Sequence, residues 1–151
     1  MSTAEKLEIA SSKLGTKEYW DSLYETEFNN YNEYGDEGEV WFGKSAENRI
    51  VRYLTDSKVE KTAPILDLGC GNGSVLRKLR EVGYLSLAGV DYCKSAVDLA
   101  TKLAMEDAAD VEISYEMFDI LSPSKGRLSN QYKIVLDKGT WDAISLSDDR
   151  G

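Results

Sequence analysis

Histidine is absent from the 151 residues of this sequence, and cysteine and proline occur only twice each. Without histidine the chain cannot build a Ser-His-Asp triad, a Cys-His pair or a zinc site with imidazole ligands. The two cysteines, Cys70 and Cys93, are too few for a disulfide framework, so we expect small buried residues of a reduced intracellular protein. No apolar run reaches the roughly 18 residues of a membrane span, and no secretory signal is present. We therefore predict a soluble cytoplasmic protein without a metal, with the nucleus as an additional location.

Basic residues are also scarce, with 18 Lys and Arg against 27 Asp and Glu and a net charge of -9. A surface of this charge repels nucleic-acid phosphates and anionic lipids, so we expect no nucleic-acid partner and no membrane partner. The charge favours a basic protein as the partner. The alternative explanation, that acidity only keeps the protein soluble, stays open at this point.

One glycine-rich stretch, Ile65 to Gly73, organises the rest of the chain. Apolar residues lead to Asp67, and glycines follow at 69, 71 and 73 before a helical pattern begins. This pattern predicts a buried strand that turns into a helix over a ligand, because glycine lets a ligand approach the backbone and a helix start presents free N–H groups. The dinucleotide fingerprint G-x-G-x-x-G does not fit, since Ser74 stands where its last glycine would be.

The pattern after this turn alternates between strands and helices. It predicts strands at 63–68, 85–91, 111–117 and 134–137, and helices at about 72–82 and 95–106. In the first of these helices we expect Val82 to be buried and Arg80 to be solvated. The third strand alternates apolar and polar residues, as edge strands do, and its apolar face, which includes Met117, is expected to be buried. The fourth strand is a continuous apolar run that suits a strand covered on both faces. We predict an α/β fold, a Rossmann-like doubly wound and mostly parallel sheet with strand order 3-2-1-4. We expect the later strands of such a sheet to be missing from this chain.

Acidic residues stand at or just after the ends of all four predicted strands: Asp67, Asp91, Asp119 and Asp137. The carboxyl ends of parallel strands line one crevice, so these acids are expected to meet there. Asp91 lies 20 positions beyond Gly71, the separation at which a Rossmann-type unit presents a carboxylate to ribose hydroxyls. Each acid alone is explained equally well as a helix cap or turn residue. The whole set favours a nucleoside-binding crevice.

Longer blocks add a resemblance to a known family. The turn has the pattern Asp-x-Gly-x-Gly-x-Gly, and further matching segments are Leu14–Glu25, Tyr34–Gly43 with its Trp-Phe-Gly end, Gly89–Tyr92, and Leu136–Leu146 with Asp-Lys-Gly-Thr. With these, residues 14–146 resemble the class I S-adenosylmethionine-dependent methyltransferases, and among them the eukaryotic lysine methyltransferases of translation elongation factor 1-alpha. Lys44 and Cys93 depart from that pattern, which usually has an acid and a serine at these positions.

The resemblance implies S-adenosyl-L-methionine as the cofactor and a role for particular residues. The cofactor-binding residues it implies are Asp67, Gly69, Gly71, Asn72, Gly73, Asp91, Tyr92, Asp119 and Ile120. Among them Asp67 and the glycines would hold the methionine part, Asp91 the ribose, and Asp119 or the Ile120 backbone the adenine. Asp137 is the catalytic candidate that grips and orients a substrate lysine. A substrate channel would be lined by Trp41, Phe42 and Trp141, although core packing explains Trp141 equally well.

By resemblance we predict a protein-lysine N-methyltransferase whose expected substrate is elongation factor 1-alpha. A non-catalytic form that binds the cofactor or a partner is an alternative, because the missing strands would form part of the substrate wall. A small-molecule methyltransferase is a weaker alternative, and the oligomeric state is left open.

The chain divides into a polar tail over residues 1–16, an N-terminal helical cap with an aromatic loop over 17–62, and an incomplete cofactor-binding α/β half over 63–151. The aromatic stripe after Lys17 favours a helix that covers the sheet over one that contacts the ligand, and Ser45 is expected to cap the next helix.

Overall fold

A computed structural model describes residues 16–35, 43–107, 109–119 and 131–138. The elements in chain order are α1 (Lys17–Tyr34), α2 (Gly43–Asp56), β1 (Ile65–Leu68), α3 (Ser74–Glu81), β2 (Leu87–Asp91), α4 (Lys94–Glu106), β3 (Ile113–Met117) and β4 (Ile134–Asp137). The predicted tail up to residue 15 lies outside the described residues, and the division into tail, cap and α/β half stays a prediction. Within the described ranges, no helix combines the length and apolar character that a bilayer crossing requires.

The four strands form one parallel sheet in the order β3-β2-β1-β4, which confirms the predicted order. Leu68, the last residue of β1, lies opposite Val90 of β2 and Asp137 of β4. Asp91, the last residue of β2, lies opposite Met117 of β3. All four carboxyl ends therefore meet at one edge of the sheet, because parallel strands in this register end together.

The main apolar core lies between the sheet, α2 and α3. Its side chains with 0% exposure include Ile65 of β1 and Leu76 and Leu79 of α3, and Leu54 of α2 joins them. Residues 75, 76 and 79 of α3 share one face because an α-helix repeats every 3.6 residues. Each such aliphatic side chain contributes about 1.5–3 kcal/mol when fully buried. This core fixes β1 and the start of α3, which flank the glycine turn.

A second, smaller apolar cluster attaches α1 to the start of α4. It consists of Tyr24 from α1 with Cys93 and Ala96, and Trp20 and Tyr92 pack against it. Both cysteines of the chain are free and buried, as predicted. The cluster lies just beyond the end of β2, so α1 is held beside the edge where the strands end.

The first sheet helix departs from its predicted pattern at its C-terminal end. It ends at Glu81, and Val82, predicted to be buried, is 43% exposed. Arg80, predicted to be solvated, has only 6% of its side chain exposed. Its guanidinium donates hydrogen bonds to the carbonyl oxygens of Val111 at 3.0 Å and Ala104 at 3.2 Å. Arginine can be buried here because its planar group has several donors, which reach one carbonyl in the last turn of α4 and one in the segment before β3.

Two further sequence predictions are corrected by the fold. Ser45 does not cap α2, because that helix begins at Gly43 and includes Ser45 in its first turn. The fourth strand was predicted to be covered on both faces, yet Val135 is 53% exposed and, within the described residues, β4 pairs with β1 alone. The apolar run indicated a strand but not which of its faces is packed. The edge position of β3 is confirmed, although Met117, predicted to be buried, is 55% exposed.

Candidate ligand-binding site

The glycine turn, residues 69–73, connects β1 to α3 at the edge where the strands end. Gly69, Gly71 and Gly73 all have positive φ, at 65°, 55° and 78°. The Cys70 amide donates to the Val90 carbonyl oxygen at 3.0 Å, and the Gly73 amide donates to the Cys70 carbonyl oxygen at 2.9 Å. These bonds fix the turn on β2, so the backbone has a defined shape before any ligand binds.

Two of these glycines are needed because tyrosine side chains approach them. A Cβ at Gly71 would lie 2.6 Å from the Tyr24 hydroxyl oxygen, and a Cβ at Gly73 would lie 2.3 Å from the Tyr115 hydroxyl oxygen. The Tyr115 hydroxyl donates to the Gly73 carbonyl oxygen at 3.2 Å. The sequence attributed these glycines to ligand access alone, and this was incomplete, because α1 and β3 fill part of that space. Gly69 is exposed.

Asp91 ends β2 with its carboxylate held from two sides. One oxygen, Oδ2, accepts from the Gly71 amide at 3.1 Å, and Oδ1 accepts from the Cys93 amide at 3.0 Å. Only 6% of the residue is exposed, and burial raises its pKa while the two amides act in the opposite direction. The bond to the Cys93 amide is the kind of turn interaction that the sequence analysis gave as the alternative explanation for an acid at this position. The Cys93 side chain is a third donor to this carboxylate. A carboxylate has about four acceptor positions, so it can still accept from a further donor such as a ligand hydroxyl.

Asp67 lies on β1, in register with Gly89 of β2 and Leu136 of β4, and is 3% exposed. The pKa of its carboxyl is raised to about 7, mainly by burial; the Lys138 ammonium lowers it, and the charges of Asp91, Asp137 and Glu47 also raise it. The acids at these strand ends are therefore close enough to interact, as predicted. The pKa of Lys138 is itself lowered by burial, against the attraction of Glu47 and Asp67.

The remaining predicted residues lie around this edge in different environments. Asn72 is 6% exposed, and its Oδ1 accepts from the Ser74 amide at 3.2 Å, which stabilises the start of α3. Tyr92 is half-buried next to Asp91. Asp119 is exposed two residues beyond β3, where the Phe118 amide donates to the Asp91 carbonyl oxygen at 2.8 Å. Asp137 is exposed at the end of β4.

The predictions for Trp41, Phe42, Ile120 and Trp141 lie outside the described residues. The structure thus brings together the described acids, the glycine turn and Tyr92 at one edge. Their individual roles stay predictions.

Sequence reasoning missed Glu47, a wholly buried carboxylate on α2. Its Oε1 accepts from the Ser74 hydroxyl at 2.8 Å and lies 3.9 Å from the Lys78 ammonium, which ties α2 to the first turn of α3. Its Oε2 is buried and has no hydrogen-bond partner among the described residues. The sequence contained a signal for this residue, because Glu47 lies on the same helix face as the apolar residues Val51 and Leu54.

Tyr24 was also missed as a residue of the site. The sequence predicts it on the apolar stripe of a helix that covers the sheet, whereas its ring is buried against Cys93 and Ala96 at the start of α4. Its hydroxyl nevertheless lies against Gly71, at the turn that Asp91 supports. Periodicity places Tyr24 on the buried face but gives no information about the backbone opposite that face.

Comparison with known proteins gives matches over most of the chain. A family model described as a methyltransferase domain matches residues 59–149. EEF1A lysine methyltransferase 2 of Danio rerio is 41% identical over 143 residues, covering 93% of this chain and 59% of that protein. The protein-lysine N-methyltransferase efm4 of Schizosaccharomyces pombe is 45% identical over 153 residues, covering 92% of this chain and 64% of that protein. The chain therefore spans about three fifths of the length of these curated relatives.

Among solved structures, the fold is similar to magnesium protoporphyrin IX methyltransferase from Synechocystis. The TM-score is 0.61 with 23% identity, over 86% of this chain and 62% of that chain. This likeness shows that the chain has the Rossmann-like fold of class I methyltransferases. The observed strand order β3-β2-β1-β4 agrees with that fold. With its family model matching residues 59–149, more than half of its length, the chain belongs to the methyltransferase domain family.

Proposed function

We propose that the protein is an S-adenosyl-L-methionine-dependent protein-lysine N-methyltransferase whose substrate is elongation factor 1-alpha. The observation that supports a nucleoside cofactor most directly is the Asp91 carboxylate, held by the Gly71 and Cys93 amides at the glycine turn. The reaction and the substrate class are inferred from the relatives, whose names describe EEF1A lysine and protein-lysine methyltransferases.

The residues at the strand ends fit such a cofactor. Asp91 retains acceptor capacity for a ribose hydroxyl, and the exposed Gly69 leaves room beside the turn for the methionine part. When bound, the cofactor supplies a methyl group that is already activated by its sulfonium. The protein then needs no nucleophile or metal of its own, and its residues act by alignment and by exclusion of water.

The substrate amine has to be neutral to react, although a lysine has a pKa of about 10.4 in water. Asp137 is exposed at the end of β4, opposite the last residue of β1, where it can accept a hydrogen bond from an incoming amine. A carboxylate also favours the ammonium form, so we assign Asp137 to orienting the lysine and not to removing its proton. Deprotonation would be assisted by a partly apolar channel, for which Trp41, Phe42 and Trp141 remain the candidates.

The charge of the protein supports a basic partner. The net charge is -9, and exposed positions of α1 include Glu18, Glu25 and Glu33. Such a surface accelerates encounter with a positively charged protein, more strongly at low salt. We also propose a cytoplasmic location, which the two free and buried cysteines support, because thiols stay reduced in that compartment.

The cofactor half of the proposal is tested by calorimetric titration with S-adenosylhomocysteine. Asp91→Asn should lower the affinity at least about tenfold, because a charge-assisted hydrogen bond to a ligand is lost. Asp98→Asn is the matched control, since Asp98 pairs with Lys94 on the surface of α4. Equal affinities of the wild type and Asp91→Asn would contradict the assignment of Asp91.

The enzymatic half is tested with methyl-labelled cofactor and purified elongation factor 1-alpha, followed by mass spectrometry of its lysines. Label on lysine that disappears with Asp91→Asn is the expected result. A chain that binds S-adenosylhomocysteine but transfers no label to lysine would instead favour the non-catalytic alternative. Label on a small molecule in place of the protein would favour the small-molecule alternative.

A further inference from the structure

Hydrogen bonds at both ends of helix α1 hold it beside the edge of the sheet where the strands end. At its start, the Thr16 carbonyl oxygen accepts a hydrogen bond at 3.4 Å from the hydroxyl of Tyr92, the residue that follows Asp91. Near its end, the Lys102 ammonium of α4 donates to the Asn32 side-chain oxygen. The middle of α1 is therefore held in a fixed position over the end of β2.

Tyr24 lies in that middle section and is oriented by its ring. The ring stacks on Trp20 with centroids 6.2 Å apart and an interplanar angle of 24°, and it packs with Cys93 and Ala96. The residue is 7% exposed, and its hydroxyl lies against Gly71, 2.6 Å from where a Cβ would be. Because the ring is fixed on two sides, the hydroxyl is directed at the turn.

The surroundings of this hydroxyl are acidic. Burial, followed by the charges of Asp91 and Glu27, raises the pKa of Tyr24 well above its usual value, so the phenol stays a neutral donor at physiological pH. The Gly71 amide beside it already donates to Asp91 Oδ2 at 3.1 Å. A donor and a supported acceptor thus lie next to each other at one point of the turn.

We propose that Tyr24 is a further cofactor-binding residue, whose hydroxyl donates a hydrogen bond to the ribose that Asp91 holds. This inference rests on the proposed function. A ribose hydroxyl is both donor and acceptor, so it can donate to the acceptor-only carboxylate of Asp91 while it accepts from Tyr24. The methionine carboxylate is a poorer partner for Tyr24, because the charges of Asp91 and Glu27 would repel it.

The test compares two ligands that both contain the ribose. S-adenosylhomocysteine also has the amino-acid group, and 5′-methylthioadenosine lacks it, so the comparison separates a contact with the ribose from one with the amino-acid group. Calorimetry on Tyr24→Phe should show affinity for both ligands lowered by a similar factor, about three- to tenfold, which is the effect of one neutral hydrogen bond. Tyr34→Phe is the matched control, because Tyr34 lies at the end of the same helix and is 78% exposed. Thermal unfolding without ligand should be the same for both variants.

Each other outcome overturns the inference in a distinguishable way. A loss for S-adenosylhomocysteine alone would place the hydroxyl at the amino-acid group and not at the ribose. Equal affinities of Tyr24→Phe and Tyr34→Phe would exclude a contact altogether. A weaker affinity of Tyr24→Phe accompanied by a lower melting temperature of the free protein would indicate a purely structural role. If the wild type binds neither ligand, the proposed function fails together with the inference, whereas the first three results leave the proposed function intact.

Discussion

Replacing Gly73 by alanine tests whether the glycine turn is shaped by packing inside the protein. The new methyl group would lie 2.3 Å from the Tyr115 hydroxyl oxygen, 2.8 Å from the ring carbon that bears it, and 3.1 Å from the Ala100 Cβ. The ring cannot simply move away, because its hydroxyl donates to the Gly73 carbonyl oxygen at 3.2 Å and Ala100 closes the other side. The φ of 78° adds strain, since alanine disfavours the left-handed region.

The expected loss follows from two contributions. Left-handed backbone strain at a non-glycine residue is about 1–2 kcal/mol, and overpacking of a filled site is about 1–3 kcal/mol. Gly73→Ala should therefore lower the free energy of unfolding by about 2–5 kcal/mol, a large part of the roughly 5–15 kcal/mol of a typical domain. The effect should be stronger than that of an exposed substitution without backbone strain, which usually stays within about 0.5 kcal/mol.

Urea unfolding followed by tryptophan fluorescence gives the comparison, with Gly35→Ala as the matched control. Gly35 has nearly the same φ, 73°, but a Cβ there would meet no atom within 4 Å. The control should thus lose only the backbone contribution, about 1–2 kcal/mol. Losses for the two variants that agree within about 0.5 kcal/mol would refute the claim that Tyr115 and Ala100 require a glycine at position 73.

Two further substitutions test the charges around the sheet. Burial raises the pKa of Asp67 to about 7 in the folded protein, so its contribution to stability is complete below about pH 4 and is lost as the pH rises through 7, by about 4 kcal/mol in total. Asp67→Asn cannot ionise, and in urea titrations at pH 5 and pH 8 it should therefore gain stability relative to the wild type at the higher pH. A constant difference between the two proteins would contradict this. Arg80→Ala should lower the free energy of unfolding by about 3 kcal/mol, because the carbonyl oxygens of α4 and of the chain before β3 lose their donor. The exposed Arg52→Ala serves as the control, and an equal loss in both variants would show that the Arg80 hydrogen bonds add no stability.

The strand order and the meeting of the acids were predictable because they depend on local pattern and simple geometry. Alternating strands and helices favour parallel right-handed connections, and in such a sheet residues that end strands come together. Asp67, Asp91 and Asp137 therefore needed no knowledge of side-chain packing to be placed at one edge. The same argument explains the errors at Val82 and Val135, since an apolar residue near an element's end is buried only if another element reaches it.

Contacts between distant parts of the chain could not be predicted in this way. The hydrogen bond from Ser74 to Glu47 spans 27 positions, and that from Tyr115 to Gly73 spans 42. A helical period assigns Glu47 to a buried face, but the turn of α3 that its carboxylate reaches is set by how α2 packs on the main core. The burial of Arg80 is similar, because its acceptors belong to α4 and to the segment before β3.

The glycine turn combines both kinds of information, and this explains why its function was only partly predictable. Its spacing identifies a strand-to-helix turn beside a ligand site, and that depends on backbone geometry alone. What occupies the space above each glycine depends on the rest of the fold, which directs Tyr115 at Gly73 and Tyr24 at Gly71. Because these tyrosines cover Gly71 and Gly73, the space left for a ligand lies on the side of the turn that faces Gly69 and Asp91. Helix α1 therefore helps to shape the candidate ligand site, although it belongs to a separate apolar cluster and precedes the sheet in the chain.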